Sequence, residues 1–215
     1  MIIRAVIFAN GIAGDYGILS TILREGDTLI AADGGAKHLR KMGLVPEVLI
    51  GDLDSIPLRE VKRLEALGTK VFRFPVEKNE TDLELALDYA LDQKYTEIMI
   101  LAPFGGRLDQ TLGNITLLMR PDLKGIDIRM DDGHEALILI RDQATLEGTP
   151  GDPISLLPVG GDVKGVTTKG LLFPLTGETL FLQKTRGISN RMITESVKIR
   201  VKEGSLLCIH TRQRI

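Results

Sequence analysis

The chain has 215 residues, 43% hydrophobic and 26% charged, an ordinary composition for a globular protein able to bury a sizeable core. Its 27 basic and 29 acidic residues leave a formal charge of −2, so no global positive field favours nucleic acid or an anionic membrane. The one cysteine, Cys208, excludes a disulfide within the chain and a thiolate zinc site, and reads as a small core hydrophobe.

In chain order, short apolar runs at 2–9, 28–32, 48–50, 70–74, 97–102 and 126–130 read as strands. Amphipathic segments at 18–25, 36–42, 58–67, 82–93 and 110–119 alternate with them and read as helices. This alternation predicts a mostly parallel sheet flanked by helices. After about residue 133 the texture changes. Apolar runs at 136–140, 153–159, 163–168, 179–182, 197–201 and 205–210 are separated by Gly and Pro turns, which predicts an all-β sandwich. The expected division is an α/β domain over 1–132 and a sandwich over 133–215. No run approaches the ~20 apolar residues of a membrane span. Residues 2–9 are too short for a signal peptide's apolar region and lack a cleavage site, so a cytoplasmic location is expected.

Ligands of open α/β sheets bind beyond the carboxyl ends of the strands. Five successive predicted strands exit into polar or glycine-rich loops, more than turn chemistry alone explains. Asn10-Gly11 follows the first strand and Asp33-Gly34-Gly35 the second. The two glycines would let backbone N–H groups face phosphate oxygens, although a plain turn reads the same way.

Asp52 and Asp54 follow the third strand two residues apart. An extended chain would send both carboxylates to one side, where they suit Mg²⁺. A solvated turn is the alternative. Thr81-Asp82-Leu83-Glu84 reads as a capping box, with Thr81 at the N-cap and Asp82 in the first turn. There Asp82 could be a third carboxylate for the metal, with Lys78 upstream as a counter-charge for phosphate. Gly105-Gly106-Arg107 offers flexible backbone and a forked cation, and Asp109 reads as the next N-cap. Leu108, Leu112, Ile115 and Met119 then form the expected core face, with Gln110 and Asn114 on another flank. No P-loop and no Gly-x-Gly-x-x-Gly occurs. The pattern describes a Mg²⁺–polyphosphate site, where positioning and charge neutralisation matter more than a nucleophile.

These motifs, in this order, resemble the thiamine pyrophosphokinase family. The resemblance rests on Ala32-Asp33-Gly34-Gly35-Ala36, Gly51-Asp52-Leu53-Asp54-Ser55, Lys78 through Thr81-Asp82, and Gly105-Gly106-Arg107-Leu108-Asp109-Gln110 with Asn114. More loosely it takes in Lys169-Gly170-Leu171 and Gly187-Ile188-Ser189-Asn190. Gln110 stands where many members have His, and Arg191 where many have an acid. The resemblance implies an ATP- and Mg²⁺-binding catalytic domain, a thiamine-binding and dimerisation domain, and a homodimer with active sites at the interface. It implies Asp52, Asp54 and Asp82 as metal ligands. Asn10, Asp33, Gly34, Lys78, Thr81, Arg107 and Asn114 become ATP contacts. Asp109, Gln110, Ser189 and Asn190 become substrate contacts, with Asp109 as orienter or proton acceptor. The alternatives are a diphosphokinase for another hydroxymethyl heterocycle, such as 6-hydroxymethylpterin, and a non-catalytic thiamine or nucleotide sensor.

Overall fold

The run Arg4–Phe8 is buried at every position, as a strand covered on both faces must be. It is β1 of a computed structural model that describes residues 4–213; Ile2 and Ile3 of the predicted first strand lie outside those residues. The chain divides into two units, Met1–Gly133 and His134–Ile215.

In the first unit β1 is joined by β2 (Thr28–Ala32), β3 (Val48–Gly51), β4 (Lys70–Arg73), β5 (Glu97–Leu101) and β6 (Asp127–Asp131). Their order is β4-β3-β2-β1-β5-β6, with parallel pairing throughout. Helices α1 (Tyr16–Ile22), α2 (Ala36–Lys41), α3 (Leu58–Ala66), α4 (Asp82–Asp92) and α5 (Leu108–Leu117) connect them. The chain builds outward from β1 to β4, then crosses to β5 on the other side. That reversal leaves a crevice beside the carboxyl end of β1. Helix α4 forms as its sequence predicts: Thr81 Oγ1 accepts from Glu84 N, and Leu83, Ala86, Leu87 and Ala90 are buried.

Helix α5 departs from its sequence pattern. Arg107, not Asp109, is the N-cap, and Asp109 falls in the first turn. The expected core face is largely outside: Leu108 is 72% exposed, Leu112 55% and Met119 36%. Asn114 is buried instead, its Nδ2 donating to Pro103 O at 2.7 Å. The apolar period is present, but within one chain a neighbouring flank of the helix, with Asn114 and Leu118, meets the protein.

The second unit holds β7 (Glu135–Ile140), β8 (Gln143–Glu147), β9 (Pro153–Lys169), β10 (Thr176–Leu180), β11 (Asn190–Arg191), β12 (Ser196–Arg200) and β13 (Glu203–Thr211). The two predicted runs at 153–159 and 163–168 are one long strand, β9, carrying Gly160 at φ 74°. Its first half pairs with β13 and its second with β12 and β10. Two layers thus face one core, with Ile154, Leu156 and Cys208 from one and Val166, Val197 and Ile199 from the other. Strands β8 and β11 went unpredicted, β8 because only Leu146 of its five residues is buried. Burial pushes the Cys208 thiol up to about 12, so it acts as a core hydrophobe.

His38 of α2 is buried and ties the β1 exit to the helices. Its Nε2 lies 3.2 Å from Gly11 O and its Nδ1 2.7 Å from the Tyr16 hydroxyl. Gly11 O can only accept, so Nε2 carries the proton and Nδ1 accepts from Tyr16. Burial, with Lys37 and Lys41 nearby, lowers the pKa to about 4. The unfolded chain therefore takes this proton at a higher pH than the fold does. Stability from the neutral ring is intact above about pH 6.5 and is lost as pH falls towards 4. Thermal unfolding of wild type should lose on the order of 1–3 kcal/mol more across that window than His38→Gln loses.

Candidate active site

Five strand exits of the first unit meet at one cavity of about 470 Å³. It is lined by Asn10 after β1, Asp33 after β2, Asp54 after β3, Lys78 and Thr81 ahead of α4 with Asp82 at its start, and Gly105 to Arg107 after β5. The loops are held close by backbone. Gly11 N donates to Ala102 O at 3.0 Å and Ile12 N to Phe104 O at 2.7 Å. A Cβ on Gly11 would stand 2.3 Å from Phe104 O, so glycine is needed for these two exits to run side by side. Three exits also hold non-glycine residues in the left-handed region: Asp33 at φ 42°, Leu53 at 64° and Ala102 at 53°. Such conformations cost about 1–3 kcal/mol each and gather at functional sites.

At the floor, carboxylate oxygens of Asp33, Asp52 and Asp82 lie within 4.8 Å of one another. Gly51, at φ 149°, makes room for them; a Cβ there would stand 2.9 Å from Asp33 Cβ and 3.1 Å from Asp82 Cγ. Lys78 Nζ lies 3.0 Å from Asp52 Oδ2 and 3.1 Å from Asp82 Oδ1. The bond from Lys78 holds the Asp52 carboxyl below its usual range against the effect of burial. Burial pushes Asp82 up; Lys78 opposes this, while Asp52 and Asp33 add to it. Burial also lowers Lys78, but its two carboxylate partners win and hold it above its usual value.

The expected trio was Asp52, Asp54 and Asp82. Here Asp54 lies outside the cluster, and Asp33 stands in it. The left-handed Leu53 replaces the expected extended repeat with a turn, in which Asp54 stays beside Asp52 and its N donates to Asp52 Oδ1 at 3.2 Å. Asp54 lines the cavity from its own turn, its Oδ1 accepting from Ser55 Oγ at 3.0 Å.

Three carboxylates against one ammonium leave two negative charges at the floor. Among the described residues Asp33 Oδ1 is buried without a hydrogen-bond partner, and Asp82 Oδ1 has the Lys78 ammonium alone. Oxygen donors at this spacing, one of them unsatisfied, fit a hard divalent cation.

Above the floor, Arg107 and Asp109 form an exposed pair, Nε to Oδ1 at 3.1 Å. Asp109 also accepts from Gln110 N, and the Arg107 guanidinium holds its carboxyl below the usual range. Gln110 and Asn114 line the cavity; Asp109 does not.

A family model described as "Thiamin pyrophosphokinase, catalytic domain" matches residues 19–130, and "Thiamin pyrophosphokinase, vitamin B1 binding domain" matches residues 140–206. The chain belongs to the thiamin pyrophosphokinase family. It is 32% identical over 184 residues to thiamine pyrophosphokinase of Bacillus subtilis, covering 85% of this chain and 86% of that one. Against thiamine pyrophosphokinase 1 of Arabidopsis thaliana it is 30% identical, covering 72% of this chain and 61% of the other. The crystal structure of the Bacillus subtilis enzyme superposes with a TM-score of 0.87 at 30% identity, covering 98% of this chain and 100% of that one. That of the Geobacillus thermodenitrificans protein gives 0.82 at 27%, covering 98% of each.

The second unit of this family member carries the remaining expected contacts. Ser189 is exposed at φ 61°, its N donating to Ser155 Oγ at 3.2 Å. Asn190 is buried and its amide is committed: Oδ1 accepts from Phe173 N and Arg191 N, and Nδ2 donates to Phe173 O at 2.7 Å. Its side chain therefore props the Phe173 segment.

Two residues of the site went unread in the sequence. Lys37 Nζ donates to Asn10 O at 2.9 Å and to Asn10 Oδ1 at 2.7 Å. It lies in the first turn of α2, where the helix dipole disfavours a cation, so it needed acceptors nearby; that was the available signal. Thr111 Oγ1 accepts from Gly105 N and donates to Arg107 O, fastening the glycine loop onto α5. Nothing in its spacing announces that.

Proposed function

We propose that this chain transfers the diphosphate of ATP to the hydroxyl of thiamine, giving thiamine diphosphate and AMP, as a cytoplasmic homodimer. The observation that carries the reading is the floor of Asp33, Asp52 and Asp82 beside Lys78, at the strand exits of a chain of this family. Asp33, Asp52 and Asp82 would hold a Mg²⁺ ion, with Asp54 as a further acidic contact. That ion supplies neutralisation of the phosphate oxygens as charge shifts towards AMP.

The remaining chemistry falls to the chain's own side chains. Lys78 and Arg107 place positive charge beside the transferred diphosphate. Thr81 and Gly34, at two of the strand exits, present donors to the phosphate chain, and Asn10 adds its free amide N–H. Asn114 acts through the Pro103 loop that it anchors. Asp109 is pinned by Arg107 and is a weak base, so we assign it to orienting the thiamine hydroxyl rather than taking its proton. Gln110 supplies a polar contact to thiamine, and Ser189 of a second copy supplies another. The exposed apolar residues Leu108 and Leu112 in one unit and Phe173 and Ile188 in the other suit burial against a second copy.

The deciding experiment incubates the chain with ATP, thiamine and Mg²⁺ and follows AMP. AMP should appear in step with thiamine diphosphate and stop when EDTA is added. Release of ADP, or AMP formation independent of thiamine, would overturn the assignment. Lys37 gives a finer test. Because its ammonium holds Asn10 Oδ1, it turns the amide N–H₂ towards the cavity. Lys37→Met should raise KM for ATP about tenfold with much less change in kcat, and Lys37→Arg should recover part of the loss.

A further inference from the structure

The outward face of the second unit carries a groove that no part of the proposed reaction uses. It measures about 580 Å³ and is lined by residues of β8, β9 and β12, among them Lys169, Lys198, Arg200, Gln143 and Thr145. Strand alternation puts them on one face. Val197 and Ile199 point into the core, while Lys198 and Arg200 point out.

The register brings the charges together. Lys198 stands directly opposite Lys169 on one side and Thr145 on the other. Arg200, the next outward residue, stands between Thr167 and Gln143. Directly opposed side chains have Cβ atoms about 5 Å apart, and the next outward residue is about 7 Å along the strand. Three cations therefore share a patch about 7 Å across.

Like charges placed directly across a ladder destabilise it. The same strand β9 avoids this elsewhere, setting Lys164 opposite Glu203 at 3.1 Å. At Lys169, Lys198 and Arg200 there is no such compensation: among the described residues none of the three side chains makes a hydrogen bond or ion pair. The carboxylate on the same face, Glu147, sits one row further along and accepts from Ser196 Oγ at 3.0 Å. Around the cations stand neutral hydrogen-bonding groups instead, the hydroxyls of Thr145 and Thr167 and the amide of Gln143.

We propose that this groove binds a small anion carrying two or more linked phosphates. One orthophosphate spans too little to reach three cations at this spacing, whereas a di- or triphosphate presents several oxygens along its length. Lys169 and Lys198 hold one end, Arg200 takes the other in forked fashion, and the threonine hydroxyls donate between them. The site shares no residue with the cavity of the first unit and stands independently of the reaction proposed there.

The test is calorimetric titration of the full chain with inorganic diphosphate at fixed ionic strength, in EDTA. Wild type should bind one equivalent more than Lys169→Gln/Lys198→Gln/Arg200→Gln. Lys198→Gln alone should weaken that equivalent about tenfold, with thiamine-dependent AMP formation unchanged in both variants. The triple variant removes only repulsion, so its thermal midpoint without ligand should not fall. If it does fall, the single variant decides. Parallel titrations with ATP and thiamine diphosphate show which source of the phosphate chain the groove accepts, and tighter binding of either supports the site. Equal stoichiometry and affinity in wild type and Lys198→Gln would sink the proposal. So would orthophosphate binding as tightly as diphosphate, or an oligonucleotide binding where diphosphate does not.

Discussion

Asp82→Asn should cut thiamine-dependent AMP formation by about 10²–10³-fold while leaving the fold as stable as wild type or more so. The two effects come from one geometry. Three carboxylates within 4.8 Å of one another repel, each ionised pair by about 3 kcal/mol at an effective dielectric of about 20. Lys78 offsets part of this, and it pairs with Asp52 as well as Asp82. Removing the Asp82 charge relieves two repulsions. It forfeits one share of Lys78 and a helix-dipole term of about 0.3–1 kcal/mol at the start of α4. The balance favours the variant, and a gain of about 1 kcal/mol would raise the thermal midpoint by about 2–4 °C without divalent ions. In the same experiment, added Mg²⁺ should stabilise wild type and leave Asp82→Asn nearly unmoved. A variant that loses activity and several degrees together would mean that Asp82 is structural. A variant that keeps its rate would remove it from the chemistry.

The sheet was legible because its signals are local. Buried parallel strands read as continuous apolar runs, and the five predicted strands after β1 in this sheet lie within one residue of the observed ones at each end. The exits were legible for a related reason: polar residues immediately after such runs have little other purpose. What could not be read was side-chain direction where the backbone leaves the extended region. Leu53 at φ 64° makes a tight turn in which Asp54 N donates to Asp52 Oδ1, and no spacing rule anticipates a left-handed leucine. Asp33 enters the cluster by a similar turn, at φ 42°. Helix α5 failed differently. Its apolar stripe is real, yet Leu108 and Leu112 face outward, because a hydrophobic period states that a face is to be covered, not by what. Asn190 shows the converse, a polar residue in a functional motif whose amide bonds the backbone of Phe173 and Arg191.

Gly51→Ala should damage the site through a single methyl group. The new Cβ would stand 2.9 Å from Asp33 Cβ and 3.1 Å from Asp82 Cγ, closer than unbonded carbons rest. Relief is available only by moving one of the two carboxylates or the exit of β3. Displacement of about 1 Å at a reacting centre costs about 10²-fold in rate, so kcat/KM for AMP formation should fall by about that factor. The backbone adds its own cost, since φ 149° is strained for a residue with a side chain, and about 1–3 kcal/mol of stability should go as well. Gly43→Ala separates the two effects. Gly43 has φ 72°, and a Cβ there meets nothing within 4 Å. It should lose comparable stability and keep its activity. If both variants lose activity equally, the loss tracks global stability. If Gly51→Ala alone turns slowly, and needs more Mg²⁺ to reach half its rate, then the spacing of Asp33 and Asp82 is what the glycine protects.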